Sequence, residues 1–524
     1  DLVLLLEHVN SWHRETAARL LIERRPDDAA VLLTRMLNNS RQWQGRLRAL
    51  WVLHGLGLLQ PPHISTAISD SSEHVRRQAA ILLEQRWDQV PNPETLARKL
   101  LVDRSESVQF QALLSFGDKI KHDDFRIWLD IFPRAMEDPW STQALIMAVG
   151  DDLPQLVQEF WNRDQYYVLN DPSEPMAKNL YQIHYSAARL LKKEDHAWFV
   201  QWWGQTPKRY FDLGDRDPSI TRSLLGMLDG LRSRGVSLPG LLNTAEADVR
   251  MQVNVIGEFA RQWASNESLT LNERIEGVTL LGHAENVDEL MRLLNTPVDS
   301  RFQVAVLNSL QPLGDKVPWQ DVLNRFSSLQ PVVKRACLDA VLRNPTSIRL
   351  LLDVLESKRI SVNEIDSIRM GRLLKHADQP IAARAKALQS GLINADRQAV
   401  LMKYRAALQL TAFPLKGELV FRKHCATCHK IGSIGVQVAP DISDSRTRQP
   451  IQILTDILQP NRAIDNNYMH YSIVLNDGRI LEGILTSETA ASVTLRQPEG
   501  KQEVVRRVDI EEIRSHGVSL MPVG

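Results

Sequence analysis

Five alanines, Ala17, Ala49, Ala79, Ala112 and Ala144, recur at spacings of 32, 30, 33 and 32 residues, each inside an apolar run: TAARLL, RALWVL, QAAILL, QALLSF and QALIMA. A fixed period of this length constrains the fold more than any other feature. One unit has room for two short helices, cannot bury its own apolar side, and must stack on its neighbours. Polar turns precede several units (Asn10-Ser11, Asn39-Ser40, Asp70-Ser71 and Asp103-Arg104) and are good helix starts. The small alanine lets one amphipathic helix approach the next closely. Residues 1–150 are therefore expected to form an α-solenoid.

Two helices at this period describe a HEAT-like array. The register is lost over about 151–245, which is rich in aromatics: Phe160, Trp161, Tyr166, Tyr167, Trp198, Phe199, Trp202 and Trp203. This stretch reads as a helical insertion filling its own core, with a docking face or part of a ligand groove as the alternative. Repeats resume over 246–400, around Val253, Gly277, Val304 and Ala336, with a further helix over 380–393. Recurrent charges such as Arg76 and Arg77 read as a solvated face. Asp27-Asp28 and Asp151-Asp152 read as helix caps, and His184 as a packing or surface residue. The repeats hold no Gly-rich phosphate loop, nucleophile elbow or HExxH.

Chemistry concentrates near the C-terminus, in Cys425-Ala426-Thr427-Cys428-His429. Cys-x-x-Cys-His is the attachment sequence of c-type haem. Two thiols three positions apart can form thioethers to the two vinyl groups of one porphyrin, and the adjacent imidazole then falls beneath the iron. A zinc ribbon would need a second ligand pair, yet the third cysteine is Cys337, far upstream in a helical pattern and expected to be buried. A thioredoxin-like pair wants a βαβ context, whereas 416–423 reads as a helix. A structural disulfide is the remaining alternative. Pro440, in VAPDIS, stands where small c-type cytochromes use a proline carbonyl to fix the Nδ1–H of the proximal histidine; an ordinary turn is the other reading.

A sixth ligand is sought among Met469, His470, His516 and Met521. Met521, in SLMP, is favoured because the following proline stiffens a loop that can hold a thioether against iron. Met469 and His470 open a strand pattern and read as packing or surface residues. His/Met ligation closes the iron to substrate and suits electron transfer. Between Pro440 and Met521 lie a helix over 451–458, stopped by Pro460, and strand patterns at 471–475, 479–486, 492–496, 503–508 and 510–513. Asn476-Asp477-Gly478 and Pro498-Glu499-Gly500 supply turns. The expectation is a small, bent β-barrel inserted at about 470–514, with Gly483 where its second strand bends. It resembles Sm/SH3-like barrels in pattern only, which carries no function.

GELVFRKHCATCHKIG, VAPDIS, ILQPNRAI, LNDGRILEGIL, the DIEEI segment and SLMP follow in the order seen in the haem-binding domain of the PVC group of bacteria, which residues 402–524 resemble. The resemblance implies a mainly α protein: a HEAT-like solenoid followed at 401–524 by a c-type cytochrome domain carrying the β insert. It implies haem c as cofactor, Cys425 and Cys428 as thioether sites, His429 as proximal ligand and Met521 as distal ligand of the iron. Such domains sit at the C-terminal end of large exported dehydrogenase-like proteins, behind helical repeats and often a sorbosone-dehydrogenase-like β-propeller. The implied partner is thus a redox protein or an attached dehydrogenase domain. They also continue past the methionine loop into a helix that packs near Gly417 and Phe421, so the sequence is expected to be trimmed at Gly524.

Lys plus Arg and Asp plus Glu are equal at 63 each, so no global basic field invites nucleic acid. No apolar run is long enough to span a membrane. Haem c is attached outside the bacterial inner membrane, so a periplasmic or cell-envelope location is expected, with a signal removed or an N-terminal portion missing before Asp1. Three readings stand. An electron-transfer module serving a dehydrogenase is favoured. The alternatives are a protein-binding scaffold with a structural haem, and a haem enzyme or sensor with an open iron. No residue is singled out as catalytic.

Overall fold

The computed structural model describes residues 1–120, 125–162, 174–192, 218–243, 247–296, 299–392, 395–462, 464–489 and 491–523. The chain divides into two units, Asp1–Val255 and Ile256–Gly524.

In the first unit, helix Ser11–Arg24 is followed by helical pairs: Ala29–Asn39 with Trp43–Gly55, Pro61–Ile68 with Glu73–Gln85, Pro93–Leu101 with Glu106–Phe116, and Arg126–Ala135 with Pro139–Val149. Pro61, Pro93 and Pro139 open their helices, where a missing N–H costs no hydrogen bond. The second helix of each pair stacks on the second helix of the next. All five period-setting alanines are buried in these contacts, none more than 2% exposed. Any larger side chain there would push the stack apart.

Arg76 corrects the reading of a solvated face. It is 5% exposed, donates to both carboxylate oxygens of Asp103 at 2.7 and 2.8 Å, and reaches back to Asp70 O and Ser71 O. Arg46 repeats the pattern one unit earlier, with Asp70 at 2.6 Å and Ser40 O at 2.9 Å. Gln109 holds the third place and donates to Asp103 O. Each aspartate also accepts the N–H of the next helix's N-cap residue, Ser72 or Ser105. A polar ladder thus runs beside the alanine seam. The expected cap at Asp28 is absent: it occupies the N-cap position, but its side chain accepts no N–H there.

Beyond the pairs lie Leu153–Asn162, Glu174–Leu190 and Pro218–Ser233. The last two pack closely through Gly226 and Gly230, where a Cβ would come within 2.3 Å of Tyr181 O and 2.5 Å of Tyr185 O. Phe160 is buried and stacks on Phe132 at 4.4 Å. Tyr166, Tyr167, Trp198, Phe199, Trp202 and Trp203 lie outside the described residues. His184 is fully buried and has both ring nitrogens engaged: Nδ1 meets Leu180 O at 2.7 Å and Nε2 accepts from Trp161 Nε1 at 2.8 Å. Burial pushes its pKa down to about 4. It is a packing residue.

In the second unit, Leu271–His283, Ser300–Leu310 and Pro331–Val341 stack in the same manner. Gly277 replaces the alanine because Ala264 N and Ala260 O stand 2.8 and 2.9 Å from where its Cβ would be. Cys337 is buried, its thiol pushed up to about 12 by burial, and is chemically inert.

The C-terminal part begins with helix Pro414–His424. A short antiparallel pair, β1 (Lys430–Ile431) and β2 (Ile434–Gly435), precedes helix Pro450–Leu458. Then come β3 (Met469–Leu475), β4 (Ile480–Glu488), β5 (Ser492–Arg496), β6 (Gln502–Arg506) and β7 (Ile510–Ser519). They form an antiparallel sheet in the order β6-β5-β4-β3-β7. Of the small bent barrel that was expected, the structure shows this five-stranded sheet, and among the described residues no ladder joins β6 to β7. A 3-10 turn at Arg507–Asp509 ends β6 early and carries the chain to the opposite edge. Met469, Tyr471, Ile473, Leu475, Val493, Leu495 and Val505 form the sheet's core. Gly483 stands where a Cβ would lie 2.7 Å from Arg496 O. The sheet is also docked on the repeats, which the sequence did not reveal. Glu488 is paired with Arg507 and accepts the Val332 N–H, while Arg507 also reaches Gln330 Oε1 at 3.2 Å. No helix among the described residues is long and apolar enough to cross a membrane.

Candidate haem-binding site

Helix Pro414–His424 runs directly into the two cysteines. Its last turn closes with the N–H groups of Cys425 and Ala426 both donating to Phe421 O, and the next turn with Cys428 and His429 N–H donating to Cys425 O. Cys425 and Cys428 are free thiols, half-buried, so the disulfide alternative is not formed here. Burial, then the neighbouring Cys428, holds the Cys425 thiol above its usual range.

The chain folds back over the motif through β1 and β2. Gly435 makes this possible: its φ is +84°, and a Cβ would lie 2.2 Å from His429 O. Val436 N–H donates to Ala426 O, and both Val438 and Ala439 donate to Cys428 O. With Val438 buried, Pro440, two residues on, is set against the imidazole. His429 Nδ1 lies 2.9 Å from Pro440 O. A carbonyl can only accept, so Nδ1 carries the proton, and in the neutral ring that leaves the Nε2 lone pair for a metal.

The surroundings suit a large apolar group. Helix Pro414–His424 buries none of its own residues; Leu415, Leu419 and Val420 are 80%, 68% and 59% exposed. Among the described residues from 402 to 468, only Val438 and Thr455 are buried. Two helices with so little core of their own fit a segment that packs around a group of porphyrin size.

The candidate ligands separate. Met521 is half-buried beyond the end of β7, its N–H donating to Ser519 Oγ at 3.1 Å. Ser519 N–H in turn bonds Asn461 Oδ1, tying that end to the ILQPNRAI segment. Among the described residues no hydrogen bond joins Met521 to 425–429. Met469 belongs to the sheet's core. His470 and His516 stack on each other at 4.5 Å.

Two contacts that sequence reading missed bring the sheet to the motif. Glu499 N–H donates to Thr427 O at 2.7 Å, and the Arg496 guanidinium donates to Gln437 O at 2.9 Å. The Pro498-Glu499-Gly500 turn was legible; its target was not.

No family model matches the chain, and no curated protein does. Similar solved structures include the karyopherin Kap121p bound to the SUMO protease Ulp1p, at 14% identity and TM-score 0.39, and Kap121p bound to Nup53p, at 13% and 0.36. Each match covers 81% of this chain and 51% of the other, so the chain spans about half the length of those structures.

Proposed function

We propose that residues 402–524 bind haem c covalently and transfer single electrons, with the helical repeats as carrier. The observation that carries this reading is the 2.9 Å contact from His429 Nδ1 to Pro440 O inside a Cys-x-x-Cys-His loop. It supplies the orientation and added donor strength that a proximal histidine needs. Cys425 and Cys428 would form the thioethers, and His429 and Met521 would bind the iron. When bound, the haem supplies a one-electron couple whose potential His/Met ligation raises. Leu415, Leu419 and Val420 would help to exclude water. The partner is a redox protein or a dehydrogenase, and the location is outside the bacterial inner membrane, where such haem is attached.

Absorption spectra of protein matured with a c-haem assembly system test this. Expected are covalent haem, a low-spin ferric spectrum and the weak near-infrared band of methionine sulfur on iron. Met521→Ala should remove that band. Cys425→Ser with Cys428→Ser should abolish attachment. A high-spin spectrum in the unaltered chain would favour catalysis or sensing at an open iron, and protein that takes up no covalent haem would sink the reading.

A further inference from the structure

We propose that His470, Glu482 and His516 form a second site, for one divalent transition-metal ion of the zinc class, on the sheet face opposite its core. One ligand atom from each of the three residues can be chosen so that all lie within 4.8 Å of one another. Two imidazoles and a carboxylate are a familiar donor set for zinc.

The fold builds this cluster from three strands. Along β3, Met469, Tyr471 and Ile473 enter the core, so His470 and Ser472 face the other way. Glu482 on β4 is the cross-strand partner of Ser472. On β7 the pairing passes from Ser515 opposite Tyr471 to Ser519 opposite Met469, so two extra residues bulge out there. The bulge turns on Gly517, at φ +62°, and presents His516 against His470, as bulges beside functional sites do.

The polar accounting points the same way. Among the described residues His470 Nε2 is buried without a hydrogen-bond partner, and Glu482 Oε2 stands 3.7 Å away. Tetrahedral zinc with ligands at ordinary lengths sets them about 3.4 Å apart. Glu482, with its side chain 60% exposed, is free to close the difference. Ser472 Oγ, 3.0 Å from His516 Nε2, is placed to orient that ring.

The site does not depend on haem, so it is tested in the full chain carrying Cys425→Ser and Cys428→Ser, which removes competing thiols. Calorimetric titration with zinc chloride should give one ion per chain. His470→Gln and His516→Gln should each abolish it, and Glu482→Gln should weaken it about tenfold or more, with unchanged far-UV circular dichroism. If a glutamine variant unfolds, cobalt(II) absorption of the parent reads the imidazole ligation directly. Absence of stoichiometric binding, binding that survives both histidine substitutions, or a cobalt spectrum without imidazole ligation would overturn the proposal.

Discussion

Arg76 and Arg77 are neighbours in sequence and opposites in energetics. Arg76 makes a two-pronged bond to Asp103 and two more to backbone oxygens. Arg77 is exposed and donates to Ser107 Oγ, at 3.5 Å. Removing one member of a buried pair strands the other charge, so Arg76→Ala should cost about 3 kcal/mol. Arg77→Ala should cost less than about 0.5 kcal/mol. Urea unfolding decides, and equal losses would mean that the ladder stabilises nothing. A trace of it was in the sequence: Arg46 and Arg76 each stand three residues before a period-setting alanine. What no pattern could supply was the partner, an aspartate in the next repeat. His184 makes a second prediction. Its pKa is about 4 against 6.5 in an unfolded chain, so between those values the unfolded state binds a proton that the native state refuses. Stability should be flat above pH 6.5 and fall as pH drops toward 4. His184→Gln should flatten that fall, measured as the urea midpoint against pH.

Elements were legible where their signals were local. The β3–β4 hairpin was, because Asn476-Asp477-Gly478 fixes a tight turn: Gly478 takes φ +83° and donates to Leu475 O. The contact of His429 with Pro440 was too, since the Cys-x-x-Cys-His motif and Pro440 lie within 16 residues of sequence. The last strand was cut short at Ile513 although it runs to Ser519. Arg514-Ser515-His516-Gly517 breaks the alternation that marks a strand, and the break is the bulge itself. Gly517 is the residue on which that element turns. A Cβ there would sit 2.5 Å from Asn363 Cβ, in a backbone conformation that alanine resists. Gly517→Ala should therefore cost more than about 1 kcal/mol. A thermal midpoint unchanged from the parent would show that the bulge tolerates a side chain.

At the scale of the molecule, cores are distributed unevenly. The first unit carries one continuous cluster of buried residues from Leu6 to Ala187. The sheet has a core of its own and is tied to the repeats through Glu488 and Arg507. Between them in character stands helix Pro414–His424, 11 residues long with none buried. An isolated helix of that length is marginal in water, so its stability must come from what packs on it. Amide hydrogen exchange on haem-loaded protein and on the Cys425→Ser, Cys428→Ser double variant measures this. In the variant, the amides of 414–424 should exchange at least about tenfold faster, while those of β3, β4 and β5 keep their protection, because their bonds and core lie within the sheet. If the helix is equally protected in both, it does not rely on the cofactor. If the sheet loosens with it, the contacts from Glu499 to Thr427 and from Arg496 to Gln437 couple the two into one cooperative body.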